Sequence, residues 1–576
     1  MPEVIATHRW QMPAAVSESV RALASELAIP ELVANLLVRR GFSSAGDARA
    51  FLAPSAAAIR KPDLLPDIAP ATERLSAAVR DRERILVYGD YDVDGVTGTA
   101  LLVSALTRLG CAVDYYLPRR DVEGYGFSPA GVEYARSIGA SLIVTNDCGS
   151  SDGATVAIAR VVDIDVIITD HHELSTGAPP LAAVAFVNPK RPDSRYPFRE
   201  LAGVGVAFKL VWSLLAALGR PREELTALVD LVGLGTLADV VPLTDENRII
   251  ARLALEMMSS APRPGIKALL ARAGVRTRAL SSYHAGFILG PRLNAAGRVG
   301  HAVRAVRLLL TEDPEEAAEI AAELDSLNRS RQAIEMATLR EAHAAIDAGG
   351  LADGRTLVVA GDDWHEGVIG IVAARLAEHY WRPTAVVTLR GDRGKGSARS
   401  VSGFDLHAAL AACSGQLLGY GGHRYAAGLT VERAQLPALR AALNNHAAAY
   451  PPEVFEPNLH VEALVPPESI NAELLAGLER LEPFGPDNPV PLLASFGMEI
   501  IGYPRRVGRN HLVLRIRTGA GSVEAVAWGR SHELPNLSAG AGGAVDVCYR
   551  IDRHGRGGHG TVRLSVVDIR SSGNRG

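Results

Sequence analysis

The chain has 576 residues, and at roughly 100–200 residues per domain that length implies about three to five domains. With 48% apolar and 22% charged residues it is neither a disordered nor a fibrous protein. The 60 Lys and Arg against 64 Asp and Glu leave a net charge of −4, which argues against a surface basic all round but leaves room for a local basic groove.

Taken in chain order, residues 1–80 read as small helices broken by turns, with Leu32, Val33, Leu36 and Leu37 at helical spacing. The opening MPEVIATHRW lacks a basic start followed by an apolar stretch, so no secretory leader is expected. From 81 to 260 the pattern changes. ILVYG, VDYYL, SLIVTN and DVIITD are short β-branched runs separated by helical stretches, the signature of a parallel sheet with helices on both faces. Residues 261–350 read as helical, and Asp313 followed by Pro314 predicts the cap and first residue of one long helix ending at Gly349 and Gly350. A second α/β block follows over 351–450. The region 451–576 turns strand-like with Gly-rich turns, suiting a small β-barrel, and residues 501–576 hold twelve Arg against five acids. Cys111, Cys148, Cys413 and Cys548 lack any CxxC spacing, so neither a disulfide framework nor a cysteine zinc site is expected, and a reducing cytoplasm is the natural compartment. No run of about 18 apolar residues suggests a membrane span.

The strongest chemical signal is GDYDVDG, directly after the strand ILVYG. Asp90, Asp92 and Asp94 recur at period two, so on an extended segment the three carboxylates share one side. Alone, such a triplet is equally well a solvated acidic turn. Three further places favour a site: Asp147 beyond the strand ending VTN, Asp170, His171 and His172 at the end of the next strand, and Asp239 in the apolar stretch LVGLGTLADVVPL. Strand C-termini are where open α/β sheets form their binding crevice. Each residue has a structural alternative, as a helix cap or a satisfied core group, but all four together point to a cation. Carboxylates with imidazoles and no thiolate favour Mn²⁺ or Mg²⁺, and the number of acids suits two ions bridged by one of them, an arrangement suited to phosphoryl chemistry. Cys148 beside Asp147 reads as a small buried residue.

The set GDYDVDG, NDCG, DHH and GTLAD resembles the four motifs of the DHH phosphoesterase superfamily. EGYGFS, NPKRP, LAGVGVAFKL, GPRLNAAGR, LNRSRQ, DWHEGVIGIVAARL, KGSARS, GGHRYAAG and PFGPDNPVP are similar, in order and over nearly the whole chain, to the RecJ family of bacterial single-strand-specific exonucleases. The resemblance implies a parallel-sheet DHH domain joined by a long helix to an α/β DHH-associated domain, with a C-terminal OB-fold. It also implies 5′→3′ degradation of single-stranded DNA to mononucleotides with Mn²⁺ or Mg²⁺, in repair and recombination. Asp92, Asp94, Asp147, His171 and Asp239 match the family's metal ligands, and Asp90 is a ligand or a group behind them. His172 is expected over the scissile phosphate. Tyr88 stands where some members have His, so no ligand is assigned there. Ser397, Arg399 and Arg120 match a pocket for the terminal 5′-phosphate, although Arg120 without the resemblance reads as an exposed loop residue.

Gly421, Gly422 and His423 offer close amide approach and an imidazole to a phosphate, whereas KGSARS lacks the order of an ATP-binding loop. Arg292, Asn294 and Arg298 are candidate contacts to backbone phosphates, as are Arg329 and Arg331, for which a helix-surface salt bridge is the alternative. Trp364, Tyr425 and Trp528 are candidate stacking residues that read better as packing. Expected partners are single-stranded DNA, a helicase and a single-strand-binding protein, with the chain itself a monomer. Two competitors are a silent scaffold on the same fold, disfavoured by the full set of acids, and a small-substrate DHH hydrolase, expected to be shorter and to lack the basic barrel.

Overall fold

The computed structural model describes residues 8–572 apart from 15–16, 175–179, 277–278, 509, 520, 532–543 and 555–560. The first sheet is built from the β-branched runs. Its strands lie in the order Ala112–Tyr116, Arg84–Gly89, Leu142–Asn146, Asp165–Thr169 and Ala185–Val187, all parallel. Alternation along Arg84–Gly89 sends Ile85 and Val87 to one layer and Leu86 and Tyr88 to the other. The first layer contains helices Ile68–Asp81, Val93–Arg108 and Gly203–Ala217, and the second contains Pro129–Ile138 and Gly153–Val161. Covered on both faces, this sheet needs the continuous apolar runs the sequence supplies.

A helix of 35 residues, Pro314–Ala348, then leaves this layer. The Asp313 side chain caps it by accepting from the Glu315 amide, and Pro314 stands at its first position. At 1.5 Å per residue it spans about 50 Å. Its far end packs on the second sheet, ordered Gly419–Gly422, Ala426–Glu432, Arg393–Arg399, Thr384–Arg390 and Leu357–Asp362. Only the last two strands are parallel; the others are antiparallel, because Thr384–Arg390 and Arg393–Arg399 are joined by a two-residue turn with Gly391 in the left-handed region.

The C-terminal strands Leu493–Glu499, Ala544–His554, Thr561–Ser571, Gly521–Ala527 and His511–Thr518 follow one another as neighbours. A bridge between Ile500 and Ile516 and the Ile501 amide bonded to the Arg515 carbonyl close the ring. This is the small barrel expected from the alternating pattern. Its arginine excess is partly neutralised internally, since Arg517, Arg530, Arg553, Arg563 and Arg570 form ion pairs with carboxylates.

The N-terminal helices Glu18–Leu27, Glu31–Arg39 and Ala45–Leu52 pack into the same apolar cluster as this barrel, not onto the first sheet. Arg9–Gln11 pairs with Asn458–His460, and the Trp10 indole donates to Asp568 near the other end of the chain. Arg248 then locks the parallel-sheet layer to these segments. Only 2% exposed, its guanidinium lies 3.8 Å from the Phe51 ring centre and donates to the carbonyls of Phe51, Arg480, Leu481, Glu482 and Pro483.

Candidate metal centre and nucleic-acid cleft

The acidic loop is not extended along its whole length. Strand Arg84–Gly89 ends at Gly89, and helix Val93–Arg108 begins three residues after Asp90, with Asp92 as its N-cap and Asp94 in its first turn. The capping preference of Asp wins over the period-two reading: the Asp92 side chain accepts from the Asp94 and Gly95 amides. Gly95 is required, because a Cβ there would lie 2.3 Å from the Asp90 carbonyl oxygen. The three carboxylates nonetheless join one cluster with Asp147, His171 and Asp239. Asp94 is seated by the Gly203 and Val204 amides at the start of helix Gly203–Ala217, at 2.6 and 2.8 Å.

Asp147 follows its strand with a φ of 63°, a left-handed conformation that a non-glycine residue adopts only when its surroundings enforce it. His171 and His172 follow the next strand, and Asp239 ends helix Val229–Ala238. Nε2 of His171 lies 3.1 Å from Asp147, 3.7 Å from Asp239 and 3.8 Å from Asp94. Three trios bring one donor atom per residue within 4.8 Å of one another: Asp147 with His171 and His172, Asp94 with His171 and Asp239, and Asp90 with Asp92 and Asp147. The five acids and one imidazole assigned to metal from the sequence therefore converge on one place, the trios sharing Asp147 and His171.

The electrostatics state the need for cations. Burial, reinforced by the neighbouring carboxylates, pushes Asp90, Asp94 and Asp147 well above the usual carboxylate range, and Asp92 is raised as well. Buried oxygens of Asp90, Asp147 and Asp239 have no hydrogen-bond partner, a costly arrangement inside a protein. Burial holds His171 down at about 4, so it is neutral and able to ligate. This hard, oxygen-rich donor set with a neutral imidazole fits Mn²⁺ or Mg²⁺.

His172 behaves oppositely. Burial lowers its pKa, but the Asp170 carboxylate 2.8 Å from Nδ1 outweighs that and holds it at about 9. Asp170 also accepts from the Ser150, His171 and His172 amides and is held below the usual range. It is the fixed anchor of the motif, a role the sequence did not assign. Tyr125 was missed too. Its hydroxyl lies 3.0 and 3.2 Å from the two His172 ring nitrogens and 3.3 Å from the Asp147 carbonyl oxygen. The only sequence signal was its place in EGYGFS. Tyr88, by contrast, turns into the opposite layer and donates to the Gly126 carbonyl.

The remaining expected residues divide. Arg298 comes to the cavity edge: it donates to the Gly367 carbonyl, and burial together with Arg120 lowers its pKa to about 10. Arg120 lies 5.3 Å from the Tyr91 ring centre, and its charge acts on Asp90, Arg298 and Arg399. Arg399 bonds the Ser397 hydroxyl and the Ala398 carbonyl. Gly421, Gly428 and Ser397 form one cross-strand row, so two residues without side chains give a flat floor beside Ser397, with Gly422 and His423 at its rim. Asn294 instead accepts from the Val93 amide and braces the acidic loop, and Arg292 turns to Asp325 on the long helix. Arg329 and Arg331 make helix salt bridges to Asp325 and Glu335. Trp364 is buried and bonded to Glu341, whereas Tyr425 and Trp528 are half-exposed.

Comparison with known proteins decides the family. The single-stranded-DNA-specific exonuclease RecJ of Escherichia coli is 36% identical over 94% of this chain and 96% of its own length. The chain belongs to the RecJ family. The RecJ of Bacillus subtilis is 40% identical over 92% of this chain and 67% of its own length. Family models match in three places: the DHH family N-terminal domain over 84–236, the DHHA1 domain over 353–449 and the RecJ OB domain over 461–568. Solved structures of Thermus thermophilus RecJ in complex with Mn²⁺ and with Mg²⁺ superpose with TM-scores of 0.81 and 0.76, at 31% and 30% identity. The first match covers 99% of this chain and 80% of that one.

Proposed function

We propose that this chain is a metal-dependent, single-strand-specific 5′→3′ exodeoxyribonuclease that releases mononucleotides. The observation that carries the reading is the pairing of two opposite clusters: unsatisfied buried acids in the DHH domain, and beside them Arg120 of that domain with Ser397 and Arg399 of the DHHA1 domain. The first suits two dications, the second a terminal phosphate.

Asp90, Asp92, Asp94, Asp147, His171 and Asp239 would hold the ions. Bound there, two dications neutralise the acids, activate water and stabilise charge on the phosphodiester. The protein's own groups do the rest. Ser397, Arg399 and Arg120 fix the 5′-phosphate, so the first phosphodiester and no later one lies over the acids. Protonated His172, oriented by Asp170 and touched by Tyr125, donates a hydrogen bond to a non-bridging oxygen of that diester. Cleavage of the P–O3′ bond leaves phosphate on the next nucleotide, which regenerates the end the pocket recognises. Arg298 and the glycine floor at Gly421 and Gly422, with His423, guide the strand, and the arginine-rich barrel region extends the track.

Such an enzyme needs strands already separated, so a helicase and a single-strand-binding protein are the fitting partners in repair and recombination. We assign it to the cytoplasm as a monomer; among the described residues no helix is long and apolar enough to cross a membrane. Digestion of end-labelled strands with Mn²⁺ tests the reading. A 5′ label is expected to appear at once as mononucleotide from single strands, and duplexes are expected to resist. Release of the 3′ label first overturns the polarity.

A further inference from the structure

Behind the arginines of the cleft lies a second cavity of about 720 Å³, within the size range of small-ligand sites. It is walled by Arg272, Arg292, Arg329, Arg331 and Arg375, and Asp325 is the acidic residue among its described lining. Arg272, Arg292 and Arg329 all converge on Asp325, while Arg331 and Arg375 share Glu335. Five guanidiniums are therefore set against two carboxylates. Three charges of one sign are left over in a concave site, which favours an anion.

The cavity mouth adds a second chemistry. A π-helical turn over His284–Leu289, a rare form that recurs at functional sites, carries Phe287 into the lining. Phe287 stacks on Tyr283 with ring centres 5.4 Å apart and planes 20° from parallel, and the two are 72% and 61% exposed. An exposed aromatic pair of this kind is costly in water and presents a flat face of the kind bases stack upon. The cavity lies near the cleft: Arg331, on its wall, acts electrostatically on Arg298, as do Asp92, Arg120 and Arg399.

We infer that this cavity is a nucleotide site distinct from the catalytic centre, with the arginines around Asp325 taking the phosphate and the Tyr283–Phe287 pair taking the base. The free-product form of the inference rests on the exonuclease reading, but nucleotide binding itself does not. The test is equilibrium binding of 2′-deoxyadenosine 5′-monophosphate to the full chain in EDTA. Arg399→Ala, which empties the terminal-phosphate pocket, is expected to leave one binding event. Arg272→Ala with Arg329→Ala, and separately Phe287→Ala, which disturbs no ion pair, are expected to weaken that event tenfold or more. Inorganic phosphate is expected to compete. Binding unchanged in both the arginine and the phenylalanine variants overturns the site, whether or not the protein hydrolyses DNA. Kinetics separate the two sources of nucleotide. Weaker product inhibition at constant KM for long strands in these variants identifies the free mononucleotide, and a raised KM with unchanged inhibition identifies a nucleotide within the strand. Neither change overturns the inference.

Discussion

Two regions of this molecule bury charge, and they do so in opposite ways. Around Arg248 every charge is answered by the protein: five carbonyls and an aromatic face receive one guanidinium. Nearby, Lys209 and Glu246, both fully buried, pair with each other, and Glu246 also takes Arg60 and the Tyr196 hydroxyl. At the centre formed by Asp90, Asp94, Asp147 and Asp239, the charges are of one sign and several oxygens have no partner. A matched buried charge fixes packing, whereas an unmatched cluster is tolerable only if something from outside completes it.

The largest effect should come from Asp147→Ala, with hydrolysis of single strands falling at least about 10³-fold. If the contrast holds, the same variant loses no stability in EDTA, because one member of a repelling cluster has gone; a clear drop in Tm there would break it. Arg248→Ala is the converse. It should take one donor from each of five carbonyls, of which Leu481 and Pro483 keep the Asn488 amide, and cost about 3 kcal/mol of stability in chemical denaturation, with the catalytic rate per folded molecule intact. Third, adding Mn²⁺ at a hundred times its Kd should stabilise the wild-type protein by about 2.7 kcal/mol for each ion bound, and Asp147→Ala by much less. The smallest effect is specificity: Arg399→Ala should slow attack on 5′-phosphorylated strands about tenfold and leave 5′-hydroxyl strands nearly unaffected.

The acids were legible because each stands at the edge of a strand or helix whose apolar pattern is unambiguous. Their local geometry was less so. Period two in GDYDVDG suggested an extended segment, and the capping propensity of Asp92 made a helix start instead, yet the carboxylates still met because the Gly203 and Val204 amides draw Asp94 inward. The anchoring role of Asp170, and Tyr125 altogether, escaped because both rest on hydrogen bonds to other site groups, which no spacing reveals. GPRLNAAGR looked uniformly phosphate-binding, but three neighbours on one helix face three ways: Asn294 to the Val93 amide, Arg298 to the cleft and Arg292 to Asp325. The long helix was readable from its cap alone. The docking of the N-terminal helices on the barrel was not, since contacts across more than four hundred residues leave no local trace.

That docking bears on how the molecule is made. Trp10 completes a cluster with Val461, Leu492, Ala494 and Cys548, so the strand Arg9–Gln11 finds its neighbours more than four hundred residues later in the chain. During translation the apolar faces of the early helices have no partner until almost the whole polypeptide has left the ribosome, and a release of the ends would reopen them. Loss of the strand Thr561–Ser571, which carries the Asp568 that Trp10 donates to, is therefore felt at Trp10, more than five hundred residues away.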